Sequence, residues 1–86
     1  MEMEKMNGFK VGDYVLINNP DAFADLVKGK VARIIEIEEW PEYMYSKVHP
    51  FIVSFVKPIR FVNGMERYNA REFVKISKEE AWLYEI

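Results

Sequence analysis

The stretch KVARIIEIE, Lys30 to Glu38, sets the tightest limit on how this chain folds. Its β-branched residues pack well on a pleated surface and lose side-chain freedom in a helix, so it reads as a strand. Gly29 stands before it and Pro41 follows it, and the other apolar runs are equally short. FKVGDYVLIN, Phe9 to Asn18, alternates, with Val11, Val15 and Ile17 on one face and Tyr14 and Leu16 on the other. PFIVSFVKP, Pro50 to Pro58, is a third strand, bounded by prolines that cannot donate to a ladder. IRFVNGMERY carries the strongest turn signal, because Asn63 and Gly64 tolerate the positive φ of a type I′ hairpin. Val74 to Ile76 is a final short strand. Five or six short strands spaced by turns predict an all-β fold, a small closed or nearly closed barrel.

Little of the chain is left for helix. NPDAFADLVKG reads as a loop with one helical turn, ended by Gly29. NAREF can form a single tight turn before the last strand. SKEEAWLYEI has Ser77 as N-cap and Glu79 and Glu80 in the first turn, so a short C-terminal helix is expected. The domain boundaries that follow are a flexible N-terminus over 1–8, a barrel over 9–77 and a helical tail over 78–86.

With 86 residues, half of them apolar and 15% aromatic, the chain can build one small core from large side chains. It has no cysteine, which excludes thiol catalysis, cysteine-ligated zinc and a disulfide scaffold. MEMEKMNGFK lacks the apolar run of a signal peptide, and no stretch approaches the length of a membrane span, so a cytoplasmic protein is expected. The net charge of −2 is unlike that of a dedicated nucleic-acid binder. The charge is unevenly spread, however. Glu36, Glu38, Glu39 and Glu42 cluster, whereas residues 43–78 hold seven bases against Glu66 and Glu72.

No catalytic constellation is visible. Ser46 and His49 lie three apart but without a nucleophile elbow or an oxyanion hole. Glu38/Glu39 and Glu79/Glu80 are adjacent pairs whose side chains diverge, so neither suits general acid–base work. A metal at His49, the sole histidine, would need Glu39 or Glu42 to converge on it, and one imidazole in that setting is a poor zinc site. The scattered glycines form no phosphate loop. The expectation is a non-enzymatic protein without cofactor or metal.

VGDYVLI and GKVARIIEI carry a family resemblance. The first resembles the Gly-Asp opening of the first strand in small SH3-like barrels. The second resembles the KOW pattern, with Gly29, Ala32, Ile34 and Ile37 at its positions and alanine where the family has glycine. YNAREFVKI resembles the helical turn leading into the last strand of such barrels, with Phe73 and Ile76 inward. The resemblance spans Phe9 to Ser77 and implies an SH3-like, KOW-like barrel that acts by binding. KOW-like domains contact RNA, DNA or the polymerase itself, so the resemblance implies an accessory or regulatory factor of the transcription (RNA polymerase) or translation (ribosome) machinery. A phage-encoded or bacterial accessory factor would suit this small form.

Two surfaces are candidates. Trp40, Tyr43, Met44 and Tyr45, in the connection after the second strand, supply the large side chains that make interface hot spots, with Tyr84 in the tail. Trp40 is expected to cap the barrel end, while Trp82 packs on the barrel and leaves Tyr84 and Ile86 available. The alternative is direct RNA or DNA binding through Arg60, Arg67, Arg71 and Lys75. A protein partner leads, nucleic acid is second, no membrane is involved, and a homodimer is compatible with the surplus of apolar surface.

Overall fold

The computed structural model describes residues 2–38, 48–59 and 65–85. Among these residues eight strands and two helices follow one another: β1 (Glu2–Met3), β2 (Lys5–Met6), β3 (Phe9–Lys10), β4 (Tyr14–Ile17), α1 (Ala24–Val27), β5 (Val31–Glu38), β6 (Phe51–Phe55), β7 (Met65–Tyr68), β8 (Phe73–Ile76) and α2 (Lys78–Glu85). Five strands form one curled antiparallel sheet in the order β7-β6-β5-β4-β8, a half-barrel in which the first long strand pairs with the last.

The longest strand, β5, is the middle of this sheet. β4 pairs with its first half, β1 joins the same side further on through Glu2↔Glu38 and Met3↔Ile37, and β6 runs along its other side. Strict alternation from Ala32 and Ile34 would turn Glu36 inward. A register shift between Ile34 and Glu36 prevents this, because Ile34 faces Val53 and Glu36 faces Ile52, leaving Ile35 as the extra residue of a β-bulge. Ile37 is thereby fully buried alongside Ala32 and Ile34. The unusual spacing of the apolar positions in KVARIIEIE is the signature of this bulge.

The segment Phe9 to Asn18 is not one strand. Gly12 adopts a φ of 99°, a conformation that β-carbon sterics disfavour, and the chain turns there between β3 and β4. Val11, which alternation places on one face with Val15 and Ile17, is consequently exposed, whereas Val15 and Ile17 are buried. The segment expected to be a flexible tail also pairs. Asn7 and Gly8, both at positive φ, join β2 to β3 in a two-residue hairpin with Met6 opposite Phe9. Phe9 then packs edge-on against Phe51 at 5.6 Å and Phe73 at 4.9 Å, and Phe51 meets Phe73 at 5.3 Å.

The helical turn expected in NPDAFADLVKG falls where the sequence puts it. α1 is a single turn, followed by Gly29 at φ 85°. The antiparallel pairing of β6 with β7 sets Ser54 opposite Met65, and the Asn63–Gly64 turn itself lies outside the described residues. At α2 the Glu80 amide donates to Ser77 Oγ at 3.0 Å while the Ser77 amide donates to Glu80 Oε1 at 3.3 Å, a reciprocal capping box. Among the described residues, no helix is long and apolar enough to cross a membrane.

Phe51 lies at the junction of the ring cluster and is fully buried. Phe51→Ala is expected to cost about 3–5 kcal/mol, comparable with the whole stability of many small domains. Val74→Ala, at an exposed position of an edge strand, should stay within about 0.5 kcal/mol. Urea unfolding followed by tryptophan fluorescence distinguishes the two.

Candidate functional site

The turn after β7 organises the polar side chains of the domain. Asn69 accepts the Arg71 amide on its Oδ1 at 3.1 Å, and the Glu72 amide donates to the Asn69 carbonyl at 3.2 Å. Glu72 turns its carboxylate back into this loop and is only 2% exposed. One carboxylate oxygen accepts the Asn69 amide and the other the Asp21 amide, both at 2.8 Å. Its backbone carbonyl accepts the amides of Asn18 and Asn19. One residue therefore fastens the connection between β4 and α1 to the start of β8. Because a buried carboxylate needs strong donors, this pairing satisfies Glu72 and fixes the loop together.

Asp21 is thereby brought to the same place. Its Oδ2 accepts Asn69 Nδ2 at 3.2 Å, faces Arg71 Nη2 at 3.6 Å and lies 4.0 Å from His49 Nε2. Ligating atoms of Asp21, His49 and Glu72 all lie within 4.8 Å of one another. These three side chains, with Glu66, line a cavity of about 120 Å³ whose wall includes Phe23. Phe23 is held at φ 55° and is 70% exposed, so the loop carries backbone strain at its rim. Burial pushes the Glu66 carboxyl above its ordinary value of 4.5.

The arginines divide by role. Arg67 donates from Nε to the His49 carbonyl at 3.0 Å and from Nη2 to the Glu38 carbonyl at 2.9 Å. It joins the two chain ends that flank residues 39–47 with its planar fork. Arg71 is 74% exposed and pairs with Asp21. Lys75 pairs with Asp13 at 3.6 Å and donates to the Gly8 carbonyl. Arg60 lies outside the described residues. The structure thus gives Arg67, Arg71 and Lys75 three different sets of partners.

Among the aromatic candidates, Trp40, Tyr43, Met44 and Tyr45 lie outside the described residues, as do Ser46, Glu39, Glu42 and Ile86. Tyr84 is exposed as expected. Trp82, expected to pack on the barrel, is instead 67% exposed, because Ala81 is the α2 residue buried against the domain. Leu83, at 72% exposure, was not singled out from the sequence. Its signal was three consecutive large apolar residues on one short helix, which cannot all face one sheet. Asp21, Glu66 and Glu72 carried no local signal, since only the curled sheet brings them to His49.

No protein-family model, curated protein or solved structure matches the chain. The molecule is defined by its own geometry: a small half-barrel with a helix at its C-terminal end, a cluster of acidic side chains around the buried Glu72, and exposed apolar residues on that helix.

Removing the Arg67 guanidinium leaves two carbonyls without their donor. Arg67→Ala is expected to destabilise by about 1–3 kcal/mol, and Arg67→Lys to recover only part, as one ammonium does not reproduce the fork. Chemical denaturation measures both. For Glu66 the native state holds its proton more tightly than the unfolded chain. Ionisation therefore lowers stability as pH rises from the ordinary glutamate value through the raised native one. Glu66→Gln should leave stability unchanged below about pH 4 and raise it at about pH 7, which urea midpoints at the two pH values will report. An equal gain at both would show that burial of the charge is not the cause.

Proposed function

We propose that the domain is a non-enzymatic protein-interaction module, and that its half-barrel is of the SH3-like, KOW-like kind. The strand order supports the second part, since β8 returns through the Asn69–Glu72 turn to pair with β4. Gly29, Ala32, Ile34 and Ile37 support it too, with Ala32 fully buried and its small side chain accommodated between Val15 and Phe55.

One observation carries the binding reading. Trp82, Leu83 and Tyr84 are exposed on consecutive positions of α2, and Trp82 borders a groove of about 310 Å³ with Tyr14, Val56 and Ala81. Tryptophan and tyrosine beside an aliphatic groove are the side chains that anchor protein interfaces. The partner class, a component of the transcription or translation machinery such as RNA polymerase or the ribosome, comes from the KOW resemblance. Direct nucleic-acid binding has less support. Arg67 is committed to backbone carbonyls, and Arg71 and Lys75 are each paired with an aspartate.

The test uses the immobilised full chain with purified RNA polymerase and ribosomes after nuclease treatment. One of them should be retained, and Trp82→Ser with Leu83→Ser should weaken retention by ~2 kcal/mol or more. Retention that ignores both substitutions removes α2 from the reading. A fluorescent oligonucleotide that binds at low salt, and weakens log-linearly as salt rises, would instead favour nucleic acid.

A further inference from the structure

We propose that Asp21, His49 and Glu72, with Glu66 on the same cavity wall, bind one divalent transition cation, Zn²⁺ or Mn²⁺. The cluster unites an imidazole nitrogen with carboxylate oxygens from three separate parts of the chain, and its ligand atoms lie within 4.8 Å of one another. Ligands at about 2.1 Å from a tetrahedral ion stand roughly 3.4 Å apart, so closure asks for at most about 1.4 Å of movement. Asp21 can supply it, because its side chain is half exposed.

The carboxylates are already aimed. Glu72 receives one backbone amide on each oxygen, and each oxygen keeps a further lone pair for an ion. Asn69 Nδ2 holds Asp21. Hydrogen bonds of this kind orient ligands around metal ions. The donor set is mixed nitrogen and oxygen without sulfur, which suits zinc and manganese better than the all-oxygen preference of magnesium or calcium.

Arg71 supplies the contrast. Its guanidinium stands 3.6 Å from Asp21 Oδ2 and occupies the outer side of the cluster as a monovalent counter-charge. It is 74% exposed, so swinging into water costs little. An incoming ion would replace it and tie the β4–α1 connection, His49 two residues before β6, and the turn before β8 into one unit. Asp21 and Glu72 would then be shared between loop closure and coordination.

His49 is the only histidine and the chain has no cysteine, so an untagged protein offers a single imidazole to report binding. ZnCl₂ and MnCl₂ titrations by calorimetry, with MgCl₂ for comparison, are paired with NMR of the His49 ring in the zinc series. One equivalent of zinc or manganese should bind more tightly than magnesium, and zinc should shift the His49 ring signals. His49→Ala and Asp21→Asn should each weaken binding by about tenfold or more. Arg71→Ala should tighten it several-fold by removing the competing cation. Glu72 is left intact because it holds the loop, and circular dichroism confirms that each variant is folded; if one is not, the others decide. Absence of binding by both transition ions overturns the proposal. So does binding that survives His49→Ala and Asp21→Asn unchanged, or that Arg71→Ala weakens.

Discussion

The architecture depends on how Ile34 is held. Its amide donates to the Asp13 carbonyl at 2.9 Å, and its own carbonyl accepts the Gly12 amide at 2.7 Å, while Val53 faces it from the other side. With the backbone pinned on both sides at this point, the extra residue of β5 falls immediately beyond it. The bulge then bends the strand and returns Ile37 to the core. Gly12 makes the close approach possible by taking a positive φ, so the turn between β3 and β4 and the bulge in β5 form one device. The strand beyond the bulge is the part that β1 joins, and Ile37 there is set opposite Phe51 of the ring cluster.

A second constraint governs the polar end. The β4–α1 connection has few apolar residues to bury, and Phe23 points its ring outward from a strained backbone. What holds it is Glu72, through two carboxylate oxygens and one carbonyl that together take four backbone amides. A buried acid committed this fully gives definition to a loop that packing leaves loose. Glu66 lies in the same cavity under the opposite condition, since burial there works against its charge. The two acids thus share one cavity wall with opposite consequences for the fold.

These features differ in how far the sequence displays them. The capping box at Ser77 and Glu80 is local, so four consecutive residues carry all the information needed for it. The strand character of KVARIIEIE was legible, and the positions Ala32, Ile34 and Ile37 that carry the family resemblance are the buried ones. The bulge that explains their spacing was not, because it depends on Gly12 and Asp13 some twenty residues earlier. Asn7–Gly8 is the same dipeptide as Asn63–Gly64, yet it sits in a polar stretch where alternation does not draw attention to strands. Arg67 shows the limit most plainly. Its charge is visible in sequence, but its use on the carbonyls of Glu38 and His49 is set by which chain ends the sheet brings beside it. The cluster around Asp21, His49 and Glu72 is of the same kind, being assembled entirely by long-range closure.

The exposure of the C-terminal aromatics is likewise a matter of phase. Ser77 and Glu80 fix where α2 begins, and the Ala81 amide donates to the Ser77 carbonyl at 3.0 Å, so the first turn has one orientation. Ala81 then meets the sheet, and its small side chain lets the helix lie close. Each further residue rotates by about 100°, which sends Trp82 and Tyr84 to opposite flanks of Ala81 and Leu83 away from the domain. Trp82 reaches the groove beside Val56, and Tyr84 reaches the one beside Lys57 and Ile59. Burying any of the three against the sheet would require turning Ala81 out and breaking the cap. The apolar face of α2 is therefore a fixed consequence of how the helix is started, and a ligand that covered it would meet side chains already in place.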